Sequence, residues 1–254
     1  MAAGNRKQVA VIGGGAAGLM AAIAAAKQGA NVIIYEAADR VGKKLLRTGN
    51  GRCNYANERI LPLGDYHNGE FVAQVQAAAS IDPIMELERL GLWGRADGAG
   101  RLYPLSNKAN SVLNVLRMHT ARLGVQERCD FPVADIRLDP SGVRPPFIVS
   151  AQDGRFARAD ALVLAPGGDS NALWRLFSHP TVKCHPVLAP LATASAPIKG
   201  LNDIRIQASA KLTSPRWQLQ GPGQRRAALS RLRRERHLGL RPLALRERGG
   251  HAAS

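Results

Sequence analysis

The chain of 254 residues predicts an α/β fold, a parallel sheet wound with helices and interrupted by an antiparallel excursion. Three observations carry that prediction. A strand, a glycine-rich turn and a helix open the chain and lead into a second β-branched strand within about thirty residues, the size of a βαβ crossover. Short alternating segments between residues 132 and 159 read as antiparallel strands. A last apolar strand, Ala161 to Leu164, follows them and runs straight into Pro166-Gly167-Gly168.

Each element has its own local reason. Val9 to Ile12 is an apolar run closed by glycine, as a strand buried on both faces would be. Ala16 to Gln28 is an Ala-rich helix with Gly29 at its stop, and Asn31 to Tyr35 is the second strand, ending at Glu36. A Gly-rich polar stretch runs from Val41 to Asn57 and precedes a helix at Phe71 to Ala79. Asp82 and Pro83 supply a cap and a first-turn proline for a helix through Leu90. Asn107 is placed to cap a helix to about Leu123, with Ala109, Val112, Leu113 and Leu116 on one face and Gly124 at its end. Pro132 to Leu138, Phe147 to Ser150 and Phe156 to Ala159 are the antiparallel strands, with Asp153-Gly154 as a hairpin turn. Beyond Asp169 the pattern weakens, although Ile204 to Leu212 alternates as a strand does.

Composition sets outer limits. With 45% hydrophobic and 21% charged residues, the chain is neither wholly disordered nor collagenous. The formal charge is +16, but residues 215–254 hold ten arginines, no lysine and two glutamates, so half of the excess lies there. That distribution disfavours a nucleic-acid partner for the body of the chain. Cys53, Cys129 and Cys184 are odd in number and form no C-x-x-C pair, which fits a reducing, cytoplasmic setting. The uncharged run from Gln8 to Ala26 is broken by Gly13, Gly14, Gly15 and Gly18, so neither a membrane span nor a signal sequence is expected. His179, Cys184 and His185 match no zinc spacing and no metal is expected.

The sharpest signal is Gly13-x-Gly15-x-x-Gly18 between a strand and a helix, with Glu36 closing the next strand. Gly13 allows the sharp turn, Gly15 leaves room for a pyrophosphate, and Gly18 lets helix and strand approach. The helix N-terminus offers amides and a positive dipole end to phosphate, and an acid at the end of the second strand is placed to accept from ribose hydroxyls. That acid argues against a 2′-phosphate and leaves FAD or NAD. The antiparallel excursion before the return strand fits a flavin-type domain better than a plain NAD domain.

Val11-Ile12-Gly13-Gly14-Gly15-Ala16-Ala17-Gly18-Leu19-Met20-Ala21-Ala22, then Glu36, then Gly42-Lys43-Lys44-Leu45-Leu46-Arg47-Thr48-Gly49-Asn50-Gly51-Arg52-Cys53-Asn54 resemble the BaiN/RdsA-like NAD(P)/FAD-dependent oxidoreductases, also described as aminoacetone-oxidase-like FAD-binding flavoproteins. Leu102-Tyr103-Pro104, Ser111-Val112-Leu113, Ala165-Pro166-Gly167-Gly168, Pro186 to Leu191 and Lys199-Gly200-Leu201 extend the resemblance over about residues 7–212. It implies FAD in a Rossmann-like two-dinucleotide-binding-type domain, with a β-rich domain receiving a small-molecule substrate and NAD(P)H donating electrons. It also implies that Gly13, Gly15, Ala16, Ala17 and Gly18 meet the pyrophosphate and Glu36 the adenosine ribose. Lys43, Lys44, Thr48, Gly49, Asn50 and Gly51 would run toward the flavin, Val133 would approach the adenine, and Ala165 and Gly167 would complete the cofactor site. No catalytic acid or base is assigned. Taken alone, Lys43 and Lys44 would be a solvated basic pair, Arg52-Cys53-Asn54 a structural loop, and Tyr103 and His119 packing and surface residues.

The expected organisation is an FAD-binding domain over 1–170, an incomplete β-rich substrate domain over 171–214 and an arginine-rich, disordered tail over 215–254. Two departures from the family pattern shape it. Asp169 to Phe177 stands where a Gly-Tyr-type segment is expected, and the tail follows Leu212 where the substrate domain and a closing flavin-binding segment should continue. The tail lacks Val, Ile, Phe, Tyr, Lys and Asp, a composition that an out-of-frame reading of a GC-rich gene produces, so it is expected to be a frameshifted or degenerate end without strands.

Overall fold

The first strand, β1 (Gln8–Ile12), is apolar from Val9 onward because both of its faces are covered there. Val9 and Val11 join one core and Ala10 and Ile12 another. After the glycine turn the chain runs through α1 (Ala16–Lys27) and returns as β2 (Asn31–Tyr35), which pairs in parallel with β1, Gln8 opposite Asn31 and Ile12 opposite Tyr35. In β2, too, Val32 and Ile34 face one core and Ile33 and Tyr35 the other. The computed structural model describes residues 6–58, 69–78, 82–167, 173, 208–209 and 226–227.

A 3-10 segment, Leu45–Gly51, leads into β3 (Ala56–Asn57), α2 (Gly69–Ala78), α3 (Pro83–Arg89), β4 (Gly94–Ala96), β5 (Arg101–Pro104) and α4 (Ala109–Arg122). Then come β6 (Gln126–Arg128), β7 (Val133–Leu138), β8 (Phe147–Ala151), β9 (Phe156–Ala159) and β10 (Ala161–Leu164). The parallel sheet has the order β10-β1-β2-β6. Leu19, Ala22 and Ile23 of α1 and Val112, Leu113 and Leu116 of α4 cover one face. The antiparallel sheet β7-β8-β9 brings Ile136, Val149, Ala151 and Ala159 to the other. A third sheet has the order β3-β5-β4. These elements lie in the first of two units, Met1–Cys184; in the second, His185–Ser254, β11 (Ala208–Ser209) pairs antiparallel with β12 (Arg226–Ala227).

The α/β class, the parallel sheet and the antiparallel excursion are as the sequence predicts, and three details differ. Asn107 does not cap α4; it sits at φ 55° in a left-handed turn that asparagine tolerates, and Lys108 occupies the cap position with no side-chain cap bond. The short strands β3 to β6 escaped the sequence reading because two to four residues carry no readable alternation. All four residues of β10, apolar as the sequence shows, are half-buried, since β10 ends the sheet order. The expected strandless tail contains the two residues of β12. Of the strand expected at Ile204 to Leu212, Ala208 and Ser209 are described; Pro186 to Leu191, Lys199 to Leu201, His179, Cys184 and His185 lie outside the described residues. Among the described residues no helix is long and apolar enough to cross a membrane.

The antiparallel sheet is closed at one end by Asp139. Its carboxylate accepts from the Ser141 N–H at 2.9 Å, the Ser141 hydroxyl at 2.5 Å and the Arg158 guanidinium at 2.5 Å. The Ser141 bonds, with the Arg158 bond and charge added, pull its pKa down from 3.8 to about 2. A depressed carboxylate stabilises the fold fully above its unfolded pKa, and that contribution is lost as pH falls through the folded value. Acid unfolding followed by circular dichroism should therefore steepen between about pH 4 and pH 2, and Asp139→Asn should remove that part of the pH dependence.

Candidate functional site

Three backbone hydrogen bonds gather the rim of the parallel sheet. The Gly13 N–H donates to the Tyr35 carbonyl, the Ala165 N–H to the Ile12 carbonyl and the Gly42 N–H to the Gly14 carbonyl, each at 2.8 Å. The C-terminal ends of β1, β2 and β10 and the loop after β2 thus meet at one place. That edge of an open parallel sheet is where such folds bind ligands.

The glycines of the turn divide by what they do for the fold. Gly13 has φ 102°, and a Cβ there would strike the Ala165 carbonyl oxygen. A Cβ at Gly18 would strike the Gly13 carbonyl oxygen, so its absence lets α1 close on β1. Gly15 serves neither purpose. Its φ of −75° and ψ of −174° suit any residue, and no described residue lies within 4 Å of where its Cβ would be. Nothing among the described residues requires glycine there. It stands as the N-cap of α1, where no side chain makes a cap bond and no acidic residue occupies the first turn. Ala16 and Ala17 beside it are exposed. Open space, amide donors and a positive dipole end make an anion cradle that a side chain would fill.

Glu36 is fixed against this cradle. Its carboxylate accepts from the Gly14 N–H at 2.6 Å and from the Ala38 N–H at 2.8 Å, one bond to each oxygen. Each oxygen keeps a second lone pair, enough for two hydroxyl donors. Gly14 was absent from the sequence-predicted site. A Cβ there would come within 2.5 Å of Val41 Cγ1 and 3.1 Å of Glu36 Oε2, so the second of three successive glycines was the available signal for it. The Phe131 N–H donates to the Glu36 carbonyl at 2.9 Å, which brings the start of β7 and half-buried Val133 to the same end of the sheet. The residues present fit a dinucleotide: a cradle for its diphosphate and an anchored acid for a ribose.

The loop after β2 is tied to the rim at its start by Gly42 and at its far end to β5, where the Tyr55 N–H donates to the Leu102 carbonyl. Lys43 salt-bridges exposed Asp39 at 3.0 Å, the solvated role expected of an isolated basic pair. Lys44 behaves differently, with its Nζ 3.8 Å from where a Cβ on Gly167 would be, so it joins the loop after β2 to the loop after β10. The Thr48 hydroxyl donates to the Leu45 carbonyl at 2.6 Å. Gly49, Asn50 and Gly51 follow in left-handed conformation at φ 55°, 56° and 80°. Tyr103 is 8% exposed and His119 has a ring nitrogen 2.9 Å from the Leu90 carbonyl oxygen, both structural placements. Cys53 is buried, and burial pushes the Cys129 thiol up, with the charges of Glu127 and Glu36 adding to it. Neither is a ready nucleophile.

Residues 7–174 match the family model described as the HI0933-like protein Rossmann domain. The chain is 34% identical over 216 residues to the 3-dehydro-bile acid delta(4,6)-reductase of Clostridium scindens, an alignment that covers 79% of this chain and 51% of that one. It is 24% identical over 160 residues to a ribosomal RNA dihydrouridine synthase of Haemophilus influenzae, covering 62% and 39%. The chain thus spans about half or less of the length of these relatives. An open-conformation flavocytochrome c3 fumarate reductase aligns with TM-score 0.49 at 23% identity over 65% of this chain and 34% of that one.

Gly15→Asp separates ligand binding from folding. Aspartate is at least as good an N-cap as glycine, so stability should be unchanged or raised by about a few tenths of a kcal/mol, read as an unchanged or slightly higher melting temperature. A carboxylate in the cradle should abolish binding of a diphosphate, read by flavin retention on gel filtration. Gly13→Ala should instead lower the melting temperature.

Proposed function

The chain belongs to the HI0933-like family, the BaiN/RdsA family of FAD-binding oxidoreductases that its sequence resembles, and on that premise we propose how its own residues serve the cofactor and which reaction they support. Gly15, Ala16, Ala17 and Gly18 hold the pyrophosphate of FAD on the amides and dipole of α1, with Gly13 shaping the turn. Glu36 holds the adenosine ribose and Val133 lies toward the adenine. Lys44, Thr48, Gly49, Asn50 and Gly51 run beside the cofactor toward the flavin, and Ala165 and Gly167 close the opposite rim. Lys43, paired with Asp39, gives long-range positive charge rather than a contact.

The observation that carries this reading is Gly15, a glycine whose backbone and surroundings do not need one. Glu36 supports it, because the bonds from Gly14 and Ala38 hold its carboxylate in one orientation before any ligand arrives. Preorganisation of that kind lowers the ordering cost of binding.

Bound FAD supplies hydride transfer between a nicotinamide donor and an organic acceptor. The protein positions and shields it; for the donor we assign NAD(P)H. The acceptor we assign is a small organic molecule rather than RNA, since identity to the bile acid reductase is 34% over 216 residues and to the two RNA-modifying relatives 24–26% over 160–167. The domain organisation we propose is an FAD-binding part over residues 1–170, a β-rich part over 171–214 and an arginine-rich tail over 215–254.

Purified chain mixed with FAD and passed through gel filtration should keep a visible flavin spectrum. Glu36→Ala should weaken FAD binding about tenfold or more, the range of a hydrogen bond to a charged group. Anaerobic NADH or NADPH should bleach the retained band. A colourless protein contradicts the cofactor assignment, and a retained flavin that neither nucleotide bleaches marks a dinucleotide-binding module without turnover.

A further inference from the structure

Arg52 has an unmet requirement that nothing above explains. Its Nε is buried and, among the described residues, has no hydrogen-bond partner. Its guanidinium carbon lies 4.3 Å from the centroid of the Tyr103 ring, and one Nη is 3.4 Å from the Tyr103 hydroxyl, long for a hydrogen bond. A buried donor without an acceptor is destabilising, and in native proteins such a group is explained by a ligand, a water or a functional role.

The backbone that follows it is also held in an unfavourable conformation. Asn50 at φ 56° adopts a left-handed turn that asparagine tolerates, but Cys53 at φ 58° carries its side chain in a region such residues enter rarely. Arg52 itself is relaxed, at φ −100° and ψ −20°. Strain at Cys53 beside it and an unsatisfied donor on it therefore converge on one guanidinium, in the loop that the proposed function lays along FAD. Backbone strain of this kind collects at ligand clamps. Of the other cations in this loop, Lys43 is spent on Asp39.

We propose that Arg52 is an anion-recognition residue of the loop that lies along FAD, which turns on the Tyr103 ring to take an oxyanion. The inference rests on the cofactor reading above. A guanidinium presents its Nε and one Nη as a planar fork matched to a carboxylate or phosphate, and a ring beneath it keeps the fork ordered. The oxyanion is either the pyrophosphate of the cofactor or a carboxylate of the acceptor. Arg52 satisfies its orphaned donor only when that anion is present.

The test uses the unaltered full chain treated with phenylglyoxal, with the Arg52 adduct measured by mass spectrometry. Protection of Arg52 by inorganic pyrophosphate and by FAD identifies the phosphate source. Protection by benzoate, on the FAD-loaded chain alone, identifies the carboxylate source. In direct titrations Arg52→Gln should weaken binding of the protecting anion about tenfold or more, and Arg52→Lys, which keeps the charge and loses the fork, should recover part of it. Equal Arg52 modification under all conditions overturns the proposal, as does Arg52→Gln binding pyrophosphate, FAD and benzoate like the unaltered chain. Retained FAD with an unprotected Arg52 overturns this inference and leaves the cofactor reading intact. Pyrophosphate protection in a chain that holds no flavin overturns the cofactor reading and sustains the anion role of Arg52.

Discussion

The bond from the Gly14 N–H to the Glu36 carboxylate, 2.6 Å long, joins the two parts of the site that the chain brings from different strands. It requires that Gly14 carry no Cβ, since one would press on Val41 and on the carboxylate itself. It also requires β1 and β2 to end together, which their register supplies by placing Ile12 opposite Tyr35. With the carboxylate so held, the start of α1 faces open space at Gly15 while the acid stands beside it. The rest of the rim, from Gly42 to Ala165, is hydrogen-bonded onto this pair of elements.

The energetic support for that rim is the double coverage of β1 and β2. Ile34, Val11 and Leu19 are fully buried on the helical side, and Tyr35 packs on Phe131 with ring centroids 4.8 Å apart on the other. Each such side chain contributes about 1.5–3 kcal/mol on burial, so a few of them outweigh a strained turn costing about 1–3 kcal/mol. The site can therefore hold left-handed residues and an uncapped helix start because the layers beneath it are well packed.

Much of this was legible in the residues. The bounds of β2, β9 and β10 were readable because β-branched or alternating runs end at polar or glycine punctuation, and the buried face of α4 was readable from its period. The strand, glycine turn, helix and second strand, and the acid that closes them, were readable by spacing alone. The role of Gly14 was not legible, because it depends on a through-space bond across 22 positions. Nor was the pairing of Arg52 with Tyr103, 51 positions apart and on different elements. β6 is polar and three residues long, so only its pairing with β2 reveals it. Asn107 has the right chemistry for a cap, but its left-handed backbone moves the helix start onward.

The central claim is that the start of α1 is a diphosphate cradle with an acid anchored beside it. Amide chemical shifts of the isotope-labelled chain, titrated with ADP and separately with adenosine, test it most directly. The account predicts that ADP moves the Gly14, Gly15, Ala16, Ala17 and Gly18 amides while adenosine, lacking phosphate, leaves the α1 amides nearly unmoved. Shifts from ADP that fall elsewhere, or none at all, would contradict it.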